Sequence, residues 1–135
     1  MKTKVLVVAV VKKQDAVLLR KKPAGSPPYE ETWYLFGGEL EPDSMPEVAA
    51  QSIVRSQAGI EIQMAEQVSW DTEVKADLDG EIKQFVYLDA IFEYVSGELA
   101  AGPGVEKLEW VPINKLSQYD NVPPSVELFT KLGYL

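Results

Sequence analysis

The stretch Trp33-Tyr34-Leu35-Phe36-Gly37-Gly38-Glu39-Leu40-Glu41-Pro42-Asp43-Ser44-Met45-Pro46-Glu47 leads into an Ala/Val/Ile-rich segment that closes on Gly59-Ile60. This order predicts a strand, a glycine loop and a helix with marked ends. The glycine pair allows the backbone to turn or to approach a ligand closely. Ser44 and Glu47 have the spacing of a capping box, and Gly59 is placed to end the helix. A glycine loop that leads into a helix can hold phosphate.

The spacing of this stretch resembles the Nudix box. That pattern is Gly, five residues, Glu, seven residues, Arg-Glu, an apolar residue, any residue, Glu-Glu, any residue, Gly and an apolar residue. Gly38 takes the first position and Gly59-Ile60 the last two, without a gap. Nudix boxes usually follow Trp-x-x-Pro-Gly-Gly, which Trp33 to Gly38 matches except that Phe36 replaces the proline.

The resemblance extends over nearly the whole chain, through the strands before the box, a hairpin and a strand at Trp110-Val111-Pro112. It implies an α/β fold, namely a Nudix-type α/β/α sandwich around a mixed sheet, in a single Nudix-like domain of residues 1–135. The loop at Gly97–Gly104 lies where the resembled family often carries a mobile loop with an extra acidic residue.

The box departs from the family pattern at its charged positions. Ser44 stands in place of the first Glu, Ser52 and Ile53 in place of Arg-Glu, and Ser56 and Gln57 in place of Glu-Glu. In the resembled enzymes these carboxylates hold Mg²⁺ or Mn²⁺ against a pyrophosphate. Such a metal is held through carboxylates, and it stabilises phosphoryl charge and helps to generate the attacking hydroxide. We therefore expect the usual catalytic mechanism to be absent or very slow.

The remaining acidic residues near the glycine pair are residual metal candidates. Glu39 and Glu41 alternate on an extended segment and could share a cation. Acidic residues before a helix also suit its positive end, and we prefer this interpretation. No cofactor is predicted, except Mg²⁺ or Mn²⁺ for any residual activity. Ile53 extends the apolar stripe of the helix, so the former metal face is expected to be covered or used for packing.

The ligand-binding candidates are aromatic, glycine and basic residues around the same stretch. Trp33 and Phe36 could stack on a base, although an aromatic run in an apolar strand is more often core, so only one of Trp33, Tyr34 and Phe36 is expected to face a ligand. Arg20 begins the basic cluster Arg20-Lys21-Lys22, which is either a solvated strand end or a phosphate-facing patch. The full candidate set is Arg20, Trp33, Phe36, Gly37 and Gly38.

Composition excludes several classes of function. The 135 residues carry a formal charge of −8 and contain no cysteine and no histidine. Disulfides, thiolate nucleophiles, the usual zinc sites and Ser-His-Asp chemistry are therefore excluded. Thirteen basic against 21 acidic residues argue against a nucleic-acid surface. No stretch has the length and apolarity of a membrane span, and the first residues lead into a strand rather than a signal peptide, so a cytoplasmic protein is predicted.

Periodicity predicts the other elements. A β-branched run at Val5–Val11 indicates a strand that is buried on both faces. Asp79-Gly80 predicts a hairpin, beyond which Ile82, Val86, Leu88, Ala90 and Phe92 share one face of a long strand. The remaining predicted elements are strands at Ala16–Arg20, Glu61–Trp70 and Thr72–Leu78, and a final helix at Pro123–Leu132 with Val126, Phe129 and Leu132 as its apolar face.

Two functional hypotheses follow. In the first, the protein has the Nudix fold without pyrophosphohydrolase activity, and it binds a small nucleotide-like ligand or serves as a regulatory module. In the second, it is an active Mg²⁺-dependent hydrolase of the nucleoside triphosphate or ADP-ribose type that uses carboxylates outside the box helix. We favour the first, because a fold does not carry its function when the site has changed. No nucleic-acid or membrane partner is predicted, and a homodimer is compatible with the sequence.

Overall fold

The structure is a computed structural model that describes every residue from Met1 to Leu135. Its seven strands are β1 (Lys2–Lys13), β2 (Ala16–Lys21), β3 (Trp33–Tyr34), β4 (Phe36–Glu39), β5 (Glu61–Ala76), β6 (Ile82–Ser96) and β7 (Lys107–Pro112). The two α-helices are α1 (Pro46–Ala58) and α2 (Pro123–Lys131), and a 3-10 helix spans Ile113–Gln118. None of the helices has the length and apolarity needed to cross a membrane.

All seven strands belong to one mixed sheet. The strand order is β3-β2-β1-β6-β5, while β4 also pairs with β1 and β7 with β2. The β-branched strand β1 lies centrally, parallel to β6 and antiparallel to β2 and β4. Its side chains alternate between two hydrophobic clusters, as expected for a strand that is buried on both faces.

One helix covers each cluster. The first cluster includes Val7 and Ala9 of β1 together with Ala50, Val54 and Ala58 of α1. The second includes Val10 of β1 with Leu128 and Phe129 of α2. The predicted α/β/α sandwich around a mixed sheet is therefore confirmed, as is the apolar stripe of the first helix.

The sheet divides at β1. Only Lys12 and Lys13 of β1 are in register with β2, whereas residues 6–9 pair with β4. The beginning of β1 therefore diverges from β2, and β4 occupies the edge that β2 leaves. Side chains of both branches face the space between them, and this space positions the cavity described below.

The start of α1 corrects one prediction. The N-cap is Met45 rather than Ser44, and no side chain caps the helix, so the predicted capping box is wrong. The reason is Pro46 in the first turn, because a proline forces the residue before it into an extended conformation. Glu47 instead accepts a hydrogen bond from the Met64 amide at 3.3 Å. The C-terminal prediction is confirmed, since Gly59 has φ 74° and its amide donates to Arg55 O.

Two other elements differ from their predictions. The two strands predicted on either side of Asp71 are one strand, β5, with register shifts that absorb its irregular alternation. The final helix buries Ser125, Leu128 and Phe129, whereas Val126 is 40% exposed and does not belong to the apolar face. The predicted hairpin is confirmed, with Gly80 at φ 84°.

Candidate functional site

The predicted glycine loop is a strand. Gly37 and Gly38 lie in β4, in register with Val8 and Val7 of β1. Neither adopts a positive φ, so the two glycines are explained by close approach, of backbone at Gly37 and of the Ile53 side chain at Gly38, rather than by a turn. A Cβ on Gly37 would lie 2.7 Å from the Val7 carbonyl oxygen, and a Cβ on Gly38 would lie 2.8 Å from Cδ1 of Ile53. The glycines therefore serve packing within the chain itself.

Ile53 fills the space between α1 and Gly38. Its side chain is half-buried and packs against the cluster beneath α1. The other replaced box positions contribute neutral groups. Ser44, Ser52 and Ser56 are exposed, and Gln57 is half-buried with its side-chain oxygen enclosed and without a hydrogen-bond partner.

The loop at residues 97–104 lies on the last turn of α1. The amides of Ala100 and Gly102 donate to the carbonyl oxygens of Ala58 and Gln57, at 2.9 and 3.0 Å. A Cβ on Gly102 would lie only 2.1 Å from the Ser56 carbonyl oxygen. The loop is therefore docked on the helix through backbone contacts that require a glycine.

The residual acidic candidates do not converge. The carboxylate of Glu39 lies 3.6 Å from the Lys4 ammonium, and Glu41 is exposed. Nowhere in the chain do three side chains of the types Asp, Glu, His and Cys come together as they would around a metal ion.

A cavity of about 390 Å³ opens where the sheet divides. It is bounded by β1, β4, β5, β6 and the start of α2, with the proline-rich segment before β3 at its mouth. Its walls carry five aromatic side chains, of which Phe85 and Tyr87 stack with their ring centres 6.5 Å apart. The five are Tyr29, Tyr34, Phe36, Phe85 and Tyr87.

A hydrogen-bonded cluster crosses one wall of the cavity. Oε1 of Glu73 accepts hydrogen bonds from the Tyr29 and Tyr87 hydroxyls at 2.7 and 2.8 Å, and it lies 3.1 Å from the Lys75 ammonium. Burial and the bond to Glu73 raise the pKa of both tyrosines. The cluster therefore fixes Tyr29, and with it the proline-rich segment, against β5.

Another part of the cavity lining is acidic. Asp89 is 5% exposed, and its carboxylate accepts a hydrogen bond from the Ser69 hydroxyl at 3.2 Å. Burial, together with the neighbouring carboxyl of Asp71, raises the pKa of Asp89 to about 7. Asp71 in turn forms an ion pair with Lys131 of α2. This cavity wall thus includes a carboxyl group that is partly protonated at neutral pH.

The predicted ligand residues separate into two groups. Arg20, Phe36 and Gly37 line the cavity, and Gly38 lies beneath Ile53. Trp33 packs edge-on against Tyr119, with ring centres 5.1 Å apart, and belongs to the cluster on the α2 side. Two aromatics of the run, Tyr34 and Phe36, line the cavity where only one was expected to face a ligand.

A comparison of the sequence with known families gives a match. The sequence profile of the NUDIX domain matches residues 1–132. The chain belongs to the Nudix family. The comparison with curated proteins finds no match.

Solved structures agree with the family match at the level of the fold. The solution structure of the E. coli ORF135 protein is 24% identical, with a TM-score of 0.73 over 98% of this chain and 90% of that one. The MutT Nudix hydrolase from Burkholderia pseudomallei is 21% identical, with a TM-score of 0.75 over 98% and 99%. The NUDIX domain of Shewanella oneidensis NrtR, solved in complex with ADP ribose, is 19% identical, with a TM-score of 0.70 over 98% and 88%.

The side chains at the Nudix box positions do not fit a divalent metal. Mg²⁺ requires oxygen ligands, normally carboxylates, and Ile53 supplies none. The Ile53 side chain also occupies the space in front of Gly38. Serine and glutamine at the other positions bring no negative charge. At the positions aligned with the box, the side chains of this chain therefore do not form a ligand set for Mg²⁺.

Sequence reasoning missed the contribution of β6 to the cavity. Phe85, Tyr87 and Asp89 alternate along one face of β6 and line the cavity together. The signal is present as a period of two, but it is interleaved with the apolar series that begins at Ile82, and the apolar series masks it. Lys22 of the basic cluster and Tyr34 of the aromatic run also line the cavity, although the candidate set contained only Arg20, Trp33 and Phe36 from those two stretches.

Proposed function

We propose that this Nudix-family protein binds a nucleotide-like ligand in the cavity between β6 and α2 without hydrolysing it. The proposal rests on the difference between the two faces of β4. The side of β4 that faces the box helix is filled by Ile53 and the buried Phe36, whereas Gly37 on the opposite face borders an open cavity of about 390 Å³. A cavity of this size falls within the usual range for small-molecule sites.

The walls of the cavity favour a flat aromatic group. Phe85 and Tyr87 lie with nearly parallel rings on β6, where the Lys75 ammonium is 4.6 Å from the Phe85 ring centre, and Tyr34 lies on the other branch of the sheet. Aromatic walls suit a base, because ring faces stack with little demand on sequence or substituents. The structural neighbour solved with ADP ribose supports a nucleotide-like ligand for this fold.

The lack of hydrolysis follows from the chemistry of the box. Hydrolysis of a pyrophosphate requires stabilisation of developing phosphoryl charge and an activated water molecule. In this chain the box helix offers Ser52, Ile53, Ser56 and Gln57 for that task. None of these side chains is a general base or a strong ligand of Mg²⁺.

The test combines binding with turnover. We expect deoxynucleoside triphosphates, ADP-ribose, dinucleoside polyphosphates and nucleotide sugars to include ligands that raise the unfolding temperature, since a ligand of the folded state stabilises it. We expect no turnover of them with Mg²⁺ or Mn²⁺. Turnover in the usual enzyme range of about 1 to 10³ s⁻¹ that Glu41→Gln abolishes would contradict the proposal. It would instead support the active hydrolase that uses carboxylates outside the helix.

Two matched variants locate the bound ligand. Phe85→Leu removes a ring from the cavity wall, and we expect it to weaken binding. Phe129→Leu removes a fully buried ring of α2 that does not line the cavity, so it should lower stability without changing affinity at a temperature where the protein is folded. Equal affinities in the two variants would place the ligand elsewhere. A regulatory role, a homodimer and a cytoplasmic location remain predictions from the sequence.

A further inference from the structure

Two cations in the cavity lining have no counter-charge in the protein. Arg20 and Lys22 form no ion pair with any carboxylate, although the chain carries a net charge of −8. Lys75, the third nearby cation, is different, because Glu73 lies 3.1 Å from its ammonium. For Arg20, which is 8% exposed, the lack of a carboxylate partner is unexpected, because a buried charge without a partner costs free energy.

Arg20 is held in place from one side only. It is 8% exposed, and its Nε donates to the carbonyl oxygen of Leu35 at 2.9 Å. The guanidinium lies 5.4 Å from the ring centre of Tyr34 and 5.7 Å from that of Phe36. Burial lowers the pKa of Arg20 to about 10, which leaves it charged at neutral pH. Its two terminal nitrogens form no hydrogen bond within the protein and remain available as donors.

Lys22 brings a second charge to the same ring. Its ammonium lies 4.3 Å from the ring centre of Tyr34. Burial lowers the pKa of Lys22, and the nearby charges of Arg20 and Lys75 lower it further. The cavity wall therefore brings like charges together, and an anion between them would relieve their repulsion.

The Tyr34 hydroxyl is the third unsatisfied group. Tyr34 is 7% exposed, and its enclosed hydroxyl has no acceptor for its proton within the protein, although the backbone amide of Tyr29 lies beside the oxygen. A tyrosine hydroxyl is protonated at neutral pH, and burial raises the pKa of Tyr34 further, so this hydroxyl can donate a hydrogen bond. A buried polar group without a partner costs free energy that a bound acceptor would recover. Arginine, lysine and this hydroxyl together offer donors and no carboxylate, which suits an oxyanion.

We propose that Arg20, Lys22 and the Tyr34 hydroxyl bind a phosphate group of the ligand directly, without a divalent metal. The site is separate from the box helix, so phosphate recognition would have moved from metal coordination to fixed cations. For the rest of the ligand, the inference rests on the proposed function. The anion site itself can be tested with inorganic pyrophosphate alone.

The experiment is a calorimetric titration of the whole chain with inorganic pyrophosphate in EDTA, with acetate and chloride at matched ionic strength as controls. We expect saturable binding of pyrophosphate only, with the same affinity in Mg²⁺ once the pyrophosphate that Mg²⁺ complexes is accounted for. Lys22→Gln should weaken binding about ten- to hundredfold, as expected for a hydrogen bond to a charged group. Lys22 is chosen because Arg20 is buried, so that a substitution of Arg20 would change stability as well as binding.

Two further variants separate a site from diffuse charge. Lys21→Gln removes the same charge from the adjacent residue, which does not line the cavity, and should leave affinity nearly unchanged. Tyr34→Phe should weaken binding about three- to tenfold. It should also raise the unfolding temperature of the free protein, because it removes the unpaired hydroxyl. If the Tyr34 hydroxyl instead stabilised the folded protein, Tyr34→Phe would lower the unfolding temperature.

The outcomes also separate this inference from the proposed function. Absence of pyrophosphate binding in EDTA, or equal losses from Lys21→Gln and Lys22→Gln, would overturn the anion site. A nucleoside that binds as tightly as its 5′-diphosphate would overturn it as well, while leaving a ligand-binding function intact. Pyrophosphate binding that Lys22→Gln weakens, with no nucleotide bound, would support the anion site and contradict the proposed function.

Discussion

The strand β4 separates two regions that the same sequence stretch builds. On the cavity side, Gly37 borders open space. On the helix side, one residue further along, Gly38 lies beneath the Ile53 side chain, and Gly102 docks the neighbouring loop onto the end of α1. The comparison teaches that the backbone spacing of the box and the chemistry of the box are independent, because glycines serve packing in a strand whether or not a metal lies nearby.

The charges differ between the two regions in the same way. The helix side has only neutral side chains at the box positions, and its polar backbone groups are bonded to the docked loop. The cavity side has unpaired donors at Arg20, Lys22 and Tyr34 and a buried acid at Asp89. The enclosed oxygen of Gln57 on the helix side also lacks a partner, so the two regions differ in their charges: only the cavity side has cations without a carboxylate partner.

Among the substitutions that test the packed helix side, Gly102→Ala is expected to lower stability the most. The new Cβ would stand 2.1 Å from the Ser56 carbonyl oxygen, and no flexible side chain can relieve that contact. We expect a loss of about 3 kcal/mol in the free energy of unfolding, or release of the loop from α1. Hydrogen exchange at the Ala100 and Gly102 amides measures the release, because both amides bond to the helix end.

Gly104→Ala is the matched control for this substitution. A Cβ on Gly104 would meet no atom within 4 Å, but the φ of this residue is +78°. Its replacement should cost about 1 kcal/mol from backbone strain alone, with the amide protection of Ala100 kept. Similar losses in the two variants, without a change in exchange, would mean that the loop is not docked on the helix.

Ile53→Ala tests the closed side directly and should have a smaller effect. Ile53 is half-buried, so we expect a loss of about 1 to 2 kcal/mol, below the range for a fully buried isoleucine. Urea unfolding measures it. Ser52→Ala, at the exposed neighbouring position, should stay within about 0.5 kcal/mol of the wild type. If Ile53→Ala is as neutral as Ser52→Ala, the helix face is not packed against Gly38.

The sequence predicted most of the fold because its signals are local. The run Val5–Val11 needed burial on both faces, and the spacing from Gly38 to Gly59 fixed a strand and a helix of defined length. Local signals also failed where two of them competed. Ser44 has good capping chemistry, but Pro46 sets the conformation of the residue before it and moves the helix start.

The site was predicted only in part, because the cavity depends on the divergence of β1 and β2. Packing at Ile53 could be anticipated from its place on the apolar stripe of the helix. The meeting of Arg20 and Tyr34 with Phe85 and Tyr87 could not, since these residues come from strands far apart in the sequence. Hydrophobic periodicity reports which face is buried, and it does not report that two buried faces leave a gap between them.

Asp89→Asn tests the acidic wall of the cavity, and its effect appears in the pH dependence of stability. The pKa of Asp89 is raised to about 7 from its ordinary value of 3.8, by burial first and by Asp71 second. Between these two pH values the folded protein retains a proton that the unfolded chain has released. The free energy of unfolding therefore falls as the pH rises through this window, by at most about 1.4 kcal/mol per pH unit for one proton.

The measurement is the difference between the wild-type and Asp89→Asn unfolding free energies from about pH 4 to pH 8. This difference should fall with rising pH up to about 7 and then become flat. Other titrating groups, such as Asp77, whose hydrogen bond to Lys4 lowers its pKa, occur in both proteins and cancel. Parallel curves would mean that Asp89 is already ionised at acidic pH, so that Lys131 neutralises both carboxylates. The cavity would then offer a ligand only hydrogen-bond acceptors at this wall, rather than a carboxyl group that can also donate.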